Sequence, residues 1–216
     1  MPFPIQSETM LVLASASPRR QELLRNAGIP FTIEPADVDE TPLSGESART
    51  CAERLAKEKA LKISRHHPYA RVLGADTVVV LEEQILNKPV DLEDAVRMLR
   101  LLSGRVHQVI TGVSLVNPVP GSQRSAAANP PADAPYAVLT ADDRQLLIGS
   151  ETTSVTMSEI SEAEIRDYAS TSEPMDKAGA YAIQGRASRW IPRIEGDYCN
   201  VVGLPVALVH RMLTSK

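Results

Sequence analysis

The chain has 216 residues, 43% hydrophobic and 23% charged, ordinary proportions for a soluble globule long enough to bury a core. Its formal net charge of -4 gives no global basic field to attract a nucleic-acid duplex, so any phosphate chemistry must come from a local cluster of Lys and Arg. The two cysteines, Cys51 and Cys199, stand outside any CxxC or Cys/His run, which argues against a zinc site or a disulfide scaffold and towards a reducing, cytoplasmic compartment.

The first apolar run, Met10 to Ser15, reads as a buried strand and is too short for a signal sequence or a membrane span. Ser17-Pro18 reads as an N-cap with proline at the first helical position, and the helix that follows stops at Gly28. Phe31 to Glu34 reads as a second strand, completing an α/β opening. Residues 46–65 form an amphipathic helix with Ala48, Cys51, Ala52, Leu55, Ala56, Ala60 and Ile63 on one face. Residues 72–81 form a β-branched strand, turning through Glu82 to Gln84 into Ile85-Leu86.

Asp91 caps a helix ending at Gly104, and residues 106–116 return as a strand. Residues 117–135 carry five prolines among Ala, Ser and Gly, and read as a surface loop or disordered excursion. Gln145 to Met157 resumes strand character, and Ser161 to Glu164 is a capping box opening a helix to about Ala169. DKAGAYAIQG suggests a short helix, Trp190 to Ile194 a strand, and Pro205 starts a last helix. The expected fold is mixed α/β in a single unit spanning 1–216, with one long central sheet flanked by helices.

Four clusters carry chemistry. Ser15-Ala16-Ser17-Pro18-Arg19-Arg20 puts hydroxyls and guanidiniums at a strand-to-helix turn, where free N–H groups and the helix dipole favour an anion. The plain alternative is a capping serine beside two solvated arginines. Lys59 falls on the apolar face of its helix, where it either snorkels to the surface or meets an anion in a cleft. Asp76, within Gly74-Ala75-Asp76-Thr77, is a carboxylate in an apolar strand. There it needs a partner, a metal or a titrating function, and it is the best single catalytic candidate, unless it sits at a bulge. The nearby glycine allows something to approach the backbone closely.

Lys88 could bring another cation to the same cleft, and Glu40 lies in an acidic stretch that reads equally as a solvated loop. Together Glu40 and Asp76 offer oxygen ligands suited to Mg²⁺, which takes one or two carboxylates plus substrate phosphates. Gln184, at the end of EPMDKAGAYAIQG, offers the donor and acceptor that match the imide edge of uracil or thymine, although a surface amide beside a turn has the same spacing.

LASASPRRQELL, RLAKEKA, GADTVVV, NKP, MLRLLSGRVHQVITG, EPMDKAGAYAIQG and VVGLP, in that order, resemble the Maf family of nucleotide pyrophosphatases from residue 11 to about 205. The resemblance implies a divalent-metal-dependent hydrolase (Mg²⁺ or Mn²⁺), usually a homodimer. Its fold would be similar to the inosine-triphosphate pyrophosphatases, two lobes around a deep cleft. It implies Asp76 as proton acceptor, Arg19, Thr77 and Gln184 as positions that set substrate choice, and Ser15, Arg20, Glu40, Lys59 and Lys88 as the remaining polar cleft. SPRR, Thr77 and the AYAIQG segment resemble the branch acting on dTTP and UTP. Two alternatives stay open: a purine enzyme acting on 7-methyl-GTP or similar triphosphates, and a nucleotide-binding regulator of cell division without turnover. The stretch 117–135 is the departure from the family pattern.

Overall fold

The computed structural model describes residues 10–118, 134–141 and 144–215. In chain order the elements are β1 (Leu11–Leu13), α1 (Pro18–Asn26), β2 (Thr32–Ile33), α2 (Ala48–Ser64), β3 (Arg71–Leu81), β4 (Gln84–Leu86), α3 (Leu92–Leu102), β5 (Val106–Val116), β6 (Ala137–Ala141), β7 (Arg144–Thr156), α4 (Glu162–Ala169), β8 (Arg193–Glu195), α5 (Tyr198–Val202) and α6 (Val206–Thr214). They form the expected mixed sheet with flanking helices. Its order is β2-β1-β3-β5-β7-β6, with β4 paired to β3 and β8 to β7. Among the described residues only the β1–β2 and β1–β3 pairings are parallel.

Two glycines set how closely α2 lies on this sheet. A Cβ on Gly74 of β3 would sit 2.2 Å from the Ala56 carbonyl oxygen, and one on Gly112 of β5 would sit 2.3 Å from the Ala52 carbonyl. No real side chain tolerates such distances, so the small face Ala52, Ala56 and Ala60 is seated on bare backbone. What approaches Gly74 closely is therefore a helix, and the approach brings Lys59 down to the strand.

The strand β1 ends at Leu13, opposite Leu73, and β4 begins to pair with β3 only at Val79. Between those points β3 has no ladder partner on that side among the described residues, although β5 pairs with it continuously on the other. The register runs unbroken through Asp76↔Gly112 and Thr77↔Thr111, so Asp76 is not at a bulge. This gap in the sheet edge lets two consecutive residues of β3, whose side chains alternate between faces, open onto one cavity.

Several expectations are corrected. DKAGAYAIQG holds only a 3-10 turn at Ala178–Ala180, because Gly179 (φ 70°) and Ala180 (φ 61°) are left-handed and the segment is pressed onto Val79. Residues 186–190 are a 3-10 turn, and the strand expected from Trp190 starts at Arg193, where the register with Thr156 begins. The strand β6 and the five-residue α5 were not foreseen. Most of the Pro/Ala-rich stretch 117–135 lies outside the described residues.

Candidate active site

Each of the nine polar residues singled out from the sequence lines one pocket of about 880 Å³: Ser15, Arg19, Arg20, Glu40, Lys59, Asp76, Thr77, Lys88 and Gln184. They come from the β1–α1 turn, the first turn of α1, the loop before α2, α2 itself, β3, the segment after β4 and the segment before residue 186. The volume lies within the usual range for small-molecule sites.

The centre is a chain of alternating charge. Lys59 Nζ donates to Asp76 Oδ1 at 2.6 Å and to Glu40 Oε1 at 2.6 Å. Lys88 Nζ donates to Glu40 Oε2 at 2.8 Å. Lys59 and Asp76 are both buried, with side chains only 7% and 10% exposed, so each supplies the counter-charge the other requires. Lys59 thus does not snorkel; the anion it meets is the protein's own. Burial opposes the Glu40 charge, but the hydrogen bonds from Lys59 and Lys88 outweigh it and hold the carboxyl at about 2. The loop carrying Glu40 is pinned by Arg54 of α2, which bonds Glu46 at 2.8 Å and the Thr41 carbonyl at 3.1 Å.

The second cluster surrounds the start of α1. Ser17 caps that helix, with Pro18 in its first turn. Arg20 is held on three acceptors: the Gly203 carbonyl at 2.8 Å, Ser15 Oγ at 3.1 Å and Thr77 Oγ1 at 3.1 Å. Burial lowers the Arg20 pKa from the usual arginine value, and the Asp76 charge works the other way. A guanidinium has five N–H donors, so two remain for a ligand. Arg19 reaches Asp176 at 3.0 Å, and Asp176 is also bonded by Lys177. Burial opposes ionisation of Asp176, but Lys177 and Arg19 together lower its pKa.

Gln184 is exposed, and its amide has no hydrogen-bond partner among the described residues. Met175, Tyr181, Ile183 and Val201 add apolar surface to the same pocket. Tyr181 accepts or donates at 2.7 Å to His107 Nε2, and burial pushes that histidine down to about 4, so it is neutral at pH 7. Cationic groups, a helix start, a buried carboxylate and apolar walls make this pocket fit a molecule that is part phosphate, part heterocycle.

The donor set also fits a hard divalent cation. Two carboxylates, Glu40 and Asp76, converge on a single point of positive charge now held by the Lys59 ammonium. Among the described residues no cluster of three or more His, Cys, Asp or Glu side chains could hold a metal, so the remaining ligands would come from water and substrate.

Reasoning from the sequence missed Asp176, Thr111, Asn200 and Gly203. Thr111 Oγ1 lies 3.0 Å from Thr77 Oγ1 and donates to the Asn200 carbonyl at 3.0 Å. The Asn200 amide in turn bonds the Val109 carbonyl and Thr153 Oγ1, each at 2.9 Å. Asp176 stood within a quoted segment, and its acidic charge beside Lys177 was the available signal. Gly203 acts through its carbonyl, which no side-chain pattern signals.

A family model described as Maf-like protein matches residues 10–216. The chain is 48% identical over 203 residues to a dTTP/UTP pyrophosphatase of Koribacter versatilis, covering 94% of this chain and 92% of that one. It is 46% identical over 204 residues to the protein of that name from Symbiobacterium thermophilum, covering 94% and 92%. The Myxococcus xanthus protein, also a dTTP/UTP pyrophosphatase, is 44% identical over 208 residues, covering 94% and 93%.

Proposed function

This chain belongs to the Maf-like family, and from that premise we propose that it hydrolyses dTTP and UTP to the nucleoside monophosphate and pyrophosphate. The observation that carries the reading is the pocket's composition: Arg19, Arg20, Lys59 and Lys88 line the same 880 Å³ as the buried carboxylate of Asp76. A triphosphate needs that density of positive charge, and attack by water needs a base close by.

In this reading Arg20 is presented by its three acceptors with two N–H groups facing the phosphates. The N-terminus of α1 and the side chains of Ser15, Arg19 and Lys88 add to that field. Arg19 exchanges its Asp176 partner for a phosphate oxygen. Asp76 takes the proton of the water that attacks the α-phosphorus, the bond to the β-phosphoryl oxygen breaks, and pyrophosphate leaves. Lys59 orients that carboxylate through its 2.6 Å bond. Glu40 and Asp76 would hold Mg²⁺ or Mn²⁺. When bound, the ion neutralises phosphate charge and adds electrostatic stabilisation of the transition state. Gln184, with its unpaired donor and acceptor, reads the imide edge of the pyrimidine, together with Thr77.

The family resemblance also supports a homodimer, measurable by light scattering. The two free cysteines support a cytoplasmic site of action. No helix among the described residues is long and apolar enough to cross a membrane.

The test is a panel of nucleoside triphosphates with Mg²⁺ or Mn²⁺, assayed separately for pyrophosphate and orthophosphate. Pyrophosphate from dTTP and UTP, lost in a folded Asp76→Asn variant, is expected. Preference for a purine would overturn the specificity, orthophosphate the bond cleaved, and near-normal turnover by Asp76→Asn the role of that residue.

A further inference from the structure

The hydroxyls of Thr77 and Thr111 form a direct cross-strand pair, 3.0 Å apart, and the direction of their hydrogen bond follows from their other partners. The Asn200 carbonyl cannot donate, so the contact at 3.0 Å takes the single proton of Thr111. The same carbonyl also receives the Gly203 N–H at 3.0 Å, which fills its acceptor capacity. Thr111 has no second proton, so in the Thr77–Thr111 contact Thr77 is the donor.

Arg20 Nη2 donates to Thr77 Oγ1 at 3.1 Å and takes one of its lone pairs. The other possible acceptor for the Thr77 proton, the Gly203 carbonyl at 3.4 Å, is at the long limit of a hydrogen bond. What Thr77 has left for the pocket is one lone pair and no proton. Its polarity is fixed by a chain anchored in the interior. Thr111 is fully buried, and Asn200, also fully buried, is tied to β5 and β7 through its side-chain amide.

We propose that Thr111 is a positioning residue that locks the Thr77 hydroxyl as an acceptor, so that the pocket admits a base bearing a ring N–H donor and rejects one bearing a lone pair at that position. The imides of uracil and thymine carry N3–H; cytosine carries a bare N3. This deepens the pyrimidine reading above and rests on it, because it requires that Thr77 face the base. It assigns Thr111, behind the wall, a share in a choice that Thr77 alone would not make: a free threonine hydroxyl rotates and serves either partner.

The test compares kcat/KM for UTP and CTP in the intact protein and in Thr111→Val and Thr111→Ser, with circular dichroism to confirm folding. Thr111→Val keeps the shape and removes the proton sink, freeing the Thr77 proton to turn towards cytosine N3. The UTP-to-CTP ratio is expected to fall at least about tenfold in Thr111→Val, through a higher kcat or a lower KM for CTP as well as a loss for UTP, and to be restored in Thr111→Ser. Equal losses for both substrates in folded Thr111→Val indicate mere structural support and overturn the inference, as does an unchanged ratio. A parent protein that prefers UTP while Thr111→Val keeps that preference sinks this inference alone. A parent that releases no pyrophosphate from UTP sinks the functional assignment and this inference with it.

Discussion

Replacing Lys59 by Met tests whether the charge chain is structural as well as functional. The substitution keeps most of the volume and removes the cation, leaving the Asp76 carboxylate, 10% exposed, without its 2.6 Å partner. Removing one member of a buried pair costs about 3–5 kcal/mol. For a chain of this size each kcal/mol moves Tm by roughly 2–4 °C, so the expected fall is roughly 6–20 °C. The informative assay is urea unfolding of Lys59→Met, Asp76→Asn and the double variant at constant pH. The double variant is expected to be more stable than Lys59→Met alone, because no buried charge is then left unpaired. A loss under about 1 kcal/mol for Lys59→Met, the range of an exposed ion pair, would refute the reasoning. So would an Asp76→Asn cost that simply adds to it.

Glu40 is held at about 2, below its ordinary 4.5, so its contribution to stability is present above pH 4.5 and lost as pH falls towards 2. Lys88→Met should move the Glu40 titration upward, which carboxylate NMR reads directly. His107 is pushed by burial from 6.5 to about 4, so unfolding gains a proton in that window and stability falls as pH drops from about 6.5 to about 4. The full drop is about 3 kcal/mol, and urea midpoints of His107→Gln should fall less than those of the parent between pH 6.5 and 4.5, above the range in which Glu40 titrates. Gly112→Ala forces a Cβ to within 2.3 Å of the Ala52 carbonyl. That should cost at least about 1–3 kcal/mol and lower kcat, because α2 must lift and carry Lys59 away from Asp76. A Gly112→Ala protein with unchanged Tm and kcat would contradict the tight seating of α2.

The parts of the molecule that the sequence made legible are those in which one side chain violates its surroundings. Asp76 amid VLGA and TVVV, and Lys59 on an alanine face, announce themselves because isolated burial of either would be costly. That they answer each other follows from Gly74 and Gly112, whose spacing against Ala52 and Ala56 exists only in three dimensions. Strong periodicity placed α2, β3 and β5. The five residues of α5, between left-handed Gly196 and Gly203, are too few to show a period. The Thr77–Thr111–Asn200 chain was illegible for a further reason: it ends on the backbone carbonyl of Asn200 and depends on a cross-strand register that side-chain patterns do not specify. Arg19 and Gln184 were flagged in their own segments, and the family resemblance gave them a role in substrate choice; the Arg19 bond to Asp176, across 157 residues, had no local signal.

The central claim, attack by water at the α-phosphorus, is tested most directly by hydrolysing UTP in ¹⁸O-labelled water and weighing both products. The label is expected in UMP, with unlabelled pyrophosphate. Label in pyrophosphate would place the attack at the β-phosphorus, and labelled orthophosphate would place it at the γ-phosphorus; either contradicts the account.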